Sequence, residues 1–398
     1  MKFIHLSDLH LGKRVNEFPM TEDQRFILNK ITEMIKEERP QAVLIAGDVY
    51  DKPVPPAEAV ELFDDFISGL AELDTEVFII SGNHDSAERL SFGSRIMDKR
   101  GIHFAGGYDG KTHMFPLKDD FGNVNFYMLP FLKPTHVRAV IDKESIAASD
   151  AEDAAADSER PEIKTYTDAV AYAIDRMGVN TEERNVIISH QFVTGAIRSE
   201  SEEVGVGGLD SVDKSVFEPF DYTALGHLHI PQNTSAARIR YCGSPLKYSF
   251  SEAEHDKSVT IVELGEKKDG VCSCHLRCPY LEPIRDLRVL RGKFSELTDK
   301  NYYQNIKTDD YFRIILTDEE DVIGALSVLR NIYPNIMRFE YDNVRTRAIS
   351  SMPDPGANDS RSPLEIFGDL YASQNGKAMD DEQLRLMTGL IEKIWRDA

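Results

Sequence analysis

The sequence predicts an α/β fold in which helices cover a sheet of strands. Short, continuously apolar runs such as Ala42–Ala46 alternate with longer amphipathic stretches such as Met20–Arg39. A continuous apolar run is typical of a strand that is buried on both faces of a sheet. Strands that alternate with helices are typical of α/β domains. Polar motifs follow directly after several of these predicted strands, which is where α/β folds place ligand sites.

The first part of the chain gives this alternation element by element. The predicted elements are a strand over Phe3–Leu6, a helix over Met20–Arg39, a strand over Ala42–Ala46, a helix that opens at Pro55 and Pro56, and a strand over Val77–Ile80. Pro40 ends the first helix because proline lacks an N–H and clashes with the preceding turn. Val186–Ile188 and Tyr222–Leu225 repeat the buried-strand pattern, and a strand over 258–264 is expected to close the domain.

Later segments differ in composition. Residues 145–162 are rich in Ala, Ser and acidic residues, so we expect an exposed insertion. From Pro283 onward the chain mixes strands with a helix, including a strand with the sequence YFRIIL and a helix over Asp321–Asn331. Residues 348–362 are typical of a linker because they are rich in Pro, Gly, Asp and Ser. Residues 363–398 predict amphipathic helices whose apolar face must be buried, either on this chain or on another protein.

Length and composition bound the class of protein. With 398 residues the chain is too long for one ordinary core, so two or more domains are expected. Its 41% hydrophobic and 29% charged residues are typical of a soluble globular protein. The sequence contains no run of about eighteen apolar residues, so no transmembrane helix is expected. The opening MKFIHLSDLH lacks the pattern of a signal peptide, so we expect a cytoplasmic protein.

Five short segments carry the side chains that bind metal ions. They are Asp8-Leu9-His10, Gly47–Asp51 (GDVYD), Gly82–Asp85 (GNHD), Ser189-His190 and Gly226–His229 (GHLH). Oxygen and imidazole ligands without thiolate favour Mn²⁺ or Mg²⁺ over a closed structural zinc site. Together these side chains suffice for two adjacent metal ions that share a ligand, an arrangement typical of phosphoester hydrolases.

Each motif alone also has an ordinary interpretation. A single Asp or His is more often a satisfied polar residue than a ligand, but chance does not explain five motifs in this order. The histidines interpreted as ordinary are His5, His103, His113, His136, His255 and His275. Cys272, Cys274 and Cys278 lack the paired C-x₂-C spacing of a zinc site, so they are interpreted as free thiols, which fits a reducing compartment.

The ordered set DxH, GDxxD, GNHD, a His after a strand, and GHxH resembles the calcineurin-like metallophosphoesterase superfamily. HLSDLHLG at the start, GSPLKYSFSEA over 243–253 and SPLEIFGDLY near the end resemble its branch of nuclease subunits from bacterial SbcCD complexes. The resemblance implies a four-layer αββα sandwich over 1–278 and a smaller α+β capping domain over 279–347 that positions DNA. It also implies a linker over 348–362 and helices over 363–398 that dock on the coiled coil of an SMC-like ATPase of the SbcC type.

The resemblance also assigns roles to individual residues. One metal ion would be held by Asp8, His10, Asp48 and His229, and the other by Asp48, Asn83, His190 and His227, so that Asp48 bridges. His84 belongs to neither set and is the candidate that contacts the scissile phosphate and protonates or stabilises the leaving oxygen. Asp51 is expected to orient His84. The expected cofactors are two Mn²⁺ ions, with Mg²⁺ as the alternative metal.

A basic cluster follows the predicted first domain. Its members Arg285, Arg288, Arg291 and Lys293 are candidate DNA-phosphate contacts. The alternation in DLRVLRGKF equally suits the exposed side of a half-buried strand. The net charge of −22 disfavours unaided binding to nucleic acid, so a partner is expected to supply part of the DNA-binding surface.

The implied function is that of a DNA nuclease subunit acting in DNA repair, replication and recombination at the nucleoid. Expected activities are ATP-dependent double-strand exonuclease with SbcC, single-strand endonuclease and hairpin opening, by a homodimer within a heterotetramer. Two alternatives stay open: a phosphomonoesterase or cyclic-nucleotide phosphodiesterase with the same metal site, and an architectural subunit whose metal site only stabilises the fold. Residues 283–398 argue against the first alternative, and His84 argues against the second.

Overall fold

The structure is a computed structural model that describes residues 1–149, 161–197, 210–234, 238–344, 346, 363–375 and 377–396. The chain divides into two compact units, Met1–Leu287 and Arg288–Ala398. The segment after β16 remains attached to the first unit, because Ser258 bridges to Tyr280 and the Leu281 N–H donates to the carbonyl of Lys257 at 2.8 Å. The division therefore falls beyond position 278, where the sequence places the end of the first domain.

The first unit alternates strands and helices from its start. Its strands are β1 Lys2–Leu6, β2 Arg14–Val15, β3 Phe18–Pro19, β4 Ala42–Ala46, β5 Glu76–Ile80, β6 Ile102–Ala105, β7 Met114–Asp119, β8 Gly122–Leu129, β9 Arg184–His190, β10 Phe192–Val193, β11 Ser211–Val212, β12 Tyr222–Gly226, β13 Gln232–Asn233, β14 Ile239–Tyr241, β15 Thr260–Lys268 and β16 Val271–Arg277. Its helices are α1 Thr21–Glu38, α2 Ala57–Ala71, α3 Ala87–Leu90, α4 Ser94–Met97, α5 Pro134–Ser149 and α6 Tyr166–Asp175.

Two six-stranded sheets organise this unit. One has the order β16-β15-β1-β4-β5-β6, with β1, β4, β5 and β6 parallel and β15 antiparallel to β1. The other has the order β13-β14-β12-β9-β8-β7, with β8, β9, β12 and β14 parallel and antiparallel strands at both edges. Parallel strands need crossover connections, and α1 and α2 supply them between β1, β4 and β5.

The strands are apolar on both faces because each sheet is covered on both sides. Along β8, Phe126 and Met128 belong to the core between the sheets, whereas Tyr127 and Leu129 belong to the core under α6. Successive side chains of a strand point to opposite faces, so one apolar run serves two cores. The ring of Phe126 lies 5.6 Å from that of Phe3 in the other sheet.

The outer layers are helical on both sides. Val43 and Ile45 of β4 lie outside the core between the sheets and are fully buried, as are the apolar faces of the crossover helices α1 and α2. Ala169 and Val170 of α6 pack on the far side of the second sheet. The four-layer αββα sandwich implied by the sequence is confirmed.

The second unit contains a three-stranded sheet and helices. Its strands are β17 Leu287–Gly292, β18 Tyr311–Leu316 and β19 Ile336–Tyr341, in the order β17-β18-β19, and its helices are α7 Phe294–Leu297, α8 Lys300–Tyr303, α9 Ala325–Ile332, α10 Pro363–Asn375 and α11 Asp381–Arg396. The helix predicted over Asp321–Asn331 begins later, at Ala325, because Gly324 before it has φ +73°. Leu329 and Tyr333 are fully buried against Phe312 and Ile314 of the sheet.

Several predicted segments differ in extent or lie outside the described residues. The strand predicted over 258–264 runs over Thr260–Lys268. In the predicted insertion over 145–162, helix α5 continues to Ser149, and residues 150–160 lie outside the described residues. The predicted linker over 348–362 also lies outside the described residues. No helix in the described ranges combines the length and apolarity needed to cross a membrane.

Candidate metal centre

The five motifs meet at the carboxyl ends of the parallel strands of both sheets. Strands β1, β4 and β5 deliver the first three motifs, and β9 and β12 deliver His190 and the GHLH segment. The main chains of the motifs are joined directly, since the Asp8 N–H donates to the Gly47 carbonyl and the His10 N–H to the Asp48 carbonyl, both at 3.0 Å. Residues distant in sequence are therefore held in one place by the fold.

The backbone at this place is strained. Four non-glycine residues of the motifs have positive φ: Asp8 at 53°, His10 at 45°, Asp48 at 49° and His227 at 98°. Such conformations cost on the order of 1–3 kcal/mol each and concentrate at functional sites. The candidate centre therefore carries a cost in stability that the surrounding fold offsets.

Glycine is required where the motifs approach each other most closely. Gly47 has φ +88°, and a Cβ there would lie 2.4 Å from Nδ1 of His190. A Cβ on Gly82 would lie 2.1 Å from Oδ1 of Asp48. Because real Cβ atoms do not approach that closely, any side chain at either position would displace a candidate ligand.

One half of the centre is built around Asp48, Asn83, His190 and His227. Nε2 of His190 lies 3.0 Å from Oδ1 of Asn83 and 3.3 Å from Oδ2 of Asp48. Nδ1 of His227 lies 3.0 Å from the same Asn83 oxygen. His190 uses Nδ1–H to donate to the carbonyl of Ala46 at 2.8 Å, so Nε2 of the neutral ring carries a lone pair.

These contacts test whether the residues fit a metal ion. The Nε2 lone pair of neutral His190 faces two oxygen acceptors, an arrangement that is repulsive without positive charge between the atoms. A divalent cation would bind all three atoms at once, namely the His190 nitrogen and the two oxygens. Imidazole, carboxylate and amide oxygen are suitable ligands for Mn²⁺ or Mg²⁺. The residues therefore fit a metal ion.

The other half contains Asp8, His10 and His229, which converge with Asp48. Nε2 of His10 lies 3.0 Å from Nε2 of His229 and 3.7 Å from Oδ2 of Asp48. The potential ligand atoms of Asp8, His10 and His229 lie within 4.8 Å of one another, as do those of Asp8, Asp48 and His190. All of these side chains are buried. Asp48 thus reaches both halves.

The electrostatics of the centre favour added positive charge. Burial raises the pKa of Asp8 to about 6. Burial opposes ionisation of Asp48 as well, but the imidazoles around it, His190 first, hold the pKa of that carboxyl well below its usual range. Burial opposes protonation of His190, yet the Asp48 carboxylate raises the pKa of His190 to about 9. The buried carboxylate of Asp48 therefore stabilises positive charge beside His190.

His84 lies at the rim of the centre and is only partly buried. Its main-chain N–H donates to Oδ1 of Asp48 at 2.9 Å, and its ring lies edge-on to His10 at 4.9 Å between centroids. Nδ1 is 3.0 Å from the carbonyl oxygen of Asp51 and must donate to it, since a carbonyl only accepts. The Asp51 carboxylate instead accepts from Nζ of Lys13 at 2.7 Å. Asp51 therefore contacts His84 through its main chain, not its side chain.

The candidate DNA contacts are in ion pairs or at the surface. Arg285 pairs with Glu22 and Asp23, Arg288 with Asp310 at 2.6 Å, and Arg291 with Asp342. Lys293 is exposed. These carboxylates reduce the positive charge that the arginines offer to phosphate.

Other residues singled out in the sequence have ordinary surroundings. His5 is fully buried between the Tyr222 hydroxyl at 3.0 Å and the Leu225 carbonyl at 3.2 Å. His103 contacts the carboxylates of Glu76 and Asp98. Cys242, Cys272, Cys274 and Cys278 are all free.

The structure also shows supporting residues that sequence reasoning missed. Gln24 on α1 donates from Nε2 to the His10 carbonyl at 2.7 Å, and the Tyr248 hydroxyl donates to the Leu9 carbonyl at 2.5 Å. The carboxylate of Glu252 faces His229. Tyr248 and Glu252 lie in GSPLKYSFSEA, which the sequence analysis used only as support for a resemblance. No spacing in that segment marks them as neighbours of the centre.

Two family models match the chain. The one described as calcineurin-like phosphoesterase matches residues 1–231, more than half of the sequence. The chain belongs to the calcineurin-like phosphoesterase family. Over residues 283–375 this calcineurin-like phosphoesterase also matches the SbcD C-terminal domain, described as type 5 capsule protein repressor C-terminal domain. Both matches together are those of an SbcD-type nuclease, which confirms the resemblance found in the sequence.

Two solved structures are similar to this phosphoesterase. A dimetal phosphatase from Danio rerio is 12% identical, with a TM-score of 0.40, and the match covers 71% of this chain and 98% of that one. The protein TT1561 of Thermus thermophilus is 10% identical, with a TM-score of 0.37, and the match covers 71% of this chain and 99% of that one. Family membership indicates a metal-dependent phosphoesterase, and the cluster of buried carboxylates and imidazoles supplies candidate ligands for divalent ions.

Proposed function

We propose that the chain is the Mn²⁺-dependent DNA nuclease subunit of an SbcCD-type complex, acting on DNA at the nucleoid. The observation that carries the proposal is the combination of the buried ligand cluster with the family match over residues 283–375. The cluster alone suits any two-metal phosphoesterase. The C-terminal match favours the nuclease branch over phosphomonoesterases and cyclic-nucleotide phosphodiesterases.

The residues divide into two ligand sets that share one carboxylate. One ion would be held by Asp8, His10, Asp48 and His229, and the other by Asp48, Asn83, His190 and His227. Two divalent ions bound there would supply Lewis-acid activation of water and neutralise charge on the phosphate. The chain supplies the ligands in a buried, preorganised arrangement, so little reorganisation is needed during the reaction.

His84 is the proposed catalytic residue. Because its Nδ1–H is occupied by the Asp51 carbonyl, Nε2 is the ring nitrogen left to meet substrate. In the protonated ring Nε2–H donates, and it would stabilise or protonate the leaving oxygen of the cleaved phosphodiester. The main-chain carbonyl of Asp51 fixes the ring orientation, which is the positioning role that we assign to Asp51.

A comparison of substrates tests the proposal. The purified chain is incubated with Mn²⁺ and linear duplex DNA, hairpin DNA, a simple phosphodiester such as bis(p-nitrophenyl) phosphate, and the monoester p-nitrophenyl phosphate. We expect Mn²⁺-dependent cleavage of the DNA and of the diester, and ATP-stimulated shortening of duplex DNA once the SbcC-type ATPase is added. Turnover of the monoester with no DNA cleavage would contradict a nuclease. Two bound Mn²⁺ ions without any hydrolysis would favour the architectural role.

The C-terminal helices are the proposed docking element for the ATPase. Leu384, Leu386 and Leu390 on α11 are exposed by 43%, 63% and 45%. Apolar side chains exposed on an amphipathic helix are typical of a surface that lies in the groove of a partner.

Removal of residues 363–398 is expected to leave Mn²⁺-dependent cleavage of simple phosphodiesters unchanged and to abolish co-purification with the ATPase. The physical reason is that the deleted segment supplies none of the candidate ligands. Leu386→Glu with Leu390→Glu should have the same effect on partner binding without shortening the chain, and Glu382→Lys on the same helix is the matched control. Undiminished co-purification of either variant would contradict docking through these helices.

A further inference from the structure

The segment 243–257 places a buried ion pair behind His229. The side chain of Glu252 is 0% exposed and that of Lys257 3% exposed, and Lys257 Nζ donates to the Glu252 carboxylate. The same ammonium donates to the His229 carbonyl at 2.7 Å and to Oγ of Ser244 at 2.9 Å. Oε1 of Glu252 lies 3.6 Å from Nδ1 of His229.

Stability alone does not explain this pair. Glu and Lys are almost never fully buried unless they are paired. Removing two charges from water costs several kcal/mol per ion, and apolar residues of similar volume are often equally or more stabilising. Both partners of this pair also contact His229: Lys257 reaches its main-chain carbonyl, and Glu252 faces its imidazole.

A neutral imidazole binds a metal ion only through the nitrogen that lacks a proton. At His229 the carboxylate of Glu252 faces Nδ1, and Nε2 lies 3.0 Å from Nε2 of His10 inside the ligand cluster. A carboxylate beside one ring nitrogen keeps the proton there and makes the other nitrogen a stronger ligand.

We propose that Glu252 is a positioning residue: its carboxylate, fixed by Lys257, holds the His229 proton on Nδ1 so that Nε2 presents its lone pair to a metal ion. This inference rests on the proposed function, because the tautomer matters only if a metal ion binds in the cluster. The proposal gives a role to the segment GSPLKYSFSEA, which contains Glu252. It also gives a role to Lys257, the residue that completes the buried ion pair.

The neighbouring histidines differ in the group that faces Nδ1. Nδ1 of His84 and Nδ1 of His190 face the neutral carbonyls of Asp51 and Ala46, at 3.0 Å and 2.8 Å. At His229 the facing group is a charged carboxylate, which polarises the ring more strongly than a carbonyl does. The same is true of His10, whose Nδ1 lies 3.7 Å from the carboxylate of Asp51, but only the carboxylate facing His229 is itself held in a buried ion pair with Lys257.

The test is Glu252→Gln in the full-length chain, with Mn²⁺ binding followed by the electron paramagnetic resonance signal of the free ion. Loss of such a supporting group typically weakens metal affinity by about 10- to 100-fold. We expect a loss of that size for one Mn²⁺ and a much smaller change for the other. In the metal-free protein, ¹⁵N NMR of the His229 ring should change from a single Nδ1–H tautomer to a mixture.

A control must separate this role from the general cost of breaking a buried pair. Asp221→Asn breaks the pair of Asp221 with Lys267, at 3.0 Å in the same unit, and should lower stability without weakening Mn²⁺ binding. The double variant Glu252→Gln with Lys257→Met removes both charges. If Glu252 positions His229, the double variant regains stability and still binds one Mn²⁺ weakly.

Recovery of both stability and Mn²⁺ affinity in the double variant would overturn the positioning role. Unchanged affinity for both Mn²⁺ ions in Glu252→Gln would also overturn it and leave the proposed function intact. If the unsubstituted chain binds no divalent ion at all, the proposed function fails, and the inference fails with it.

Discussion

Replacing Asp48 by asparagine is expected to release both metal ions and to abolish phosphodiester cleavage. Oδ2 of Asp48 lies 3.3 Å from Nε2 of His190 and 3.7 Å from Nε2 of His10, so this carboxylate reaches both ligand sets. Asparagine keeps the shape of the side chain and tolerates the left-handed backbone that Asp48 adopts at φ 49°. The substitution therefore removes the charge while leaving the local fold in place.

The size of this effect follows from what the metal ions contribute. Lewis-acid stabilisation of the transition state contributes several kcal/mol, and about 1.4 kcal/mol corresponds to a tenfold change in rate. We expect cleavage of a simple phosphodiester to fall by roughly 10³-fold or more. Bound Mn²⁺ per chain is measured by mass spectrometry of the metal after gel filtration, and Asp221→Asn is the control for loss of a buried carboxylate. Retention of two Mn²⁺ ions by the Asp48 variant would contradict the bridging assignment.

The layered fold could be predicted because its signal is local. Runs such as Ala42–Ala46 are apolar at every position, and in a run this short that pattern is typical of a strand covered on both faces. The structure shows that both faces of β8 are covered, because Phe126 and Tyr127 pack into different hydrophobic cores. The order of the strands carries no local signal and was not predicted; the resemblance implied only the four-layer arrangement.

The ligand motifs could be predicted for a related reason. Each lies at the end of a strand, and parallel strands bring their carboxyl ends to one edge. The positive φ of Asp8, His10 and Asp48 could not be predicted, since these residue types ordinarily adopt negative φ. That strain is imposed by tertiary contacts, such as the hydrogen bond from the Asp8 N–H to the Gly47 carbonyl.

The supporting residues could not be predicted because they act over long sequence distances. Glu252 lies beside His229 only after the chain has returned through β14, and nothing in SFSEAEH distinguishes this glutamate from a surface residue. The orientation of His84 shows the same limit. A sequence gives the identity of Asp51 but does not show that its carbonyl, instead of its carboxylate, meets the imidazole.

Replacing His84 by alanine is expected to keep both metal ions and lose most of the catalysis. His84 contributes its main-chain N–H to Asp48 at 2.9 Å, and alanine retains that hydrogen bond. The imidazole is partly exposed and is held by the carbonyl of Asp51, so its removal disturbs little of the core. A positioned acid or base typically contributes about 10²- to 10⁴-fold, and we expect kcat for DNA to fall within that range.

The two substitutions separate binding of the metal ions from catalysis by the protein. The Asp48 variant should lose bound Mn²⁺ and rate together, whereas the His84 variant should lose rate at unchanged Mn²⁺ content and unchanged thermal stability. A leaving group that needs no proton, such as p-nitrophenolate, should lessen the His84 effect, because a general acid matters most for a poor leaving group. His113→Ala, a histidine paired with Asp109 at 3.3 Å outside the cluster, is the matched control. Full activity of the His84 variant on DNA would assign catalysis to the metal ions and their ligands alone.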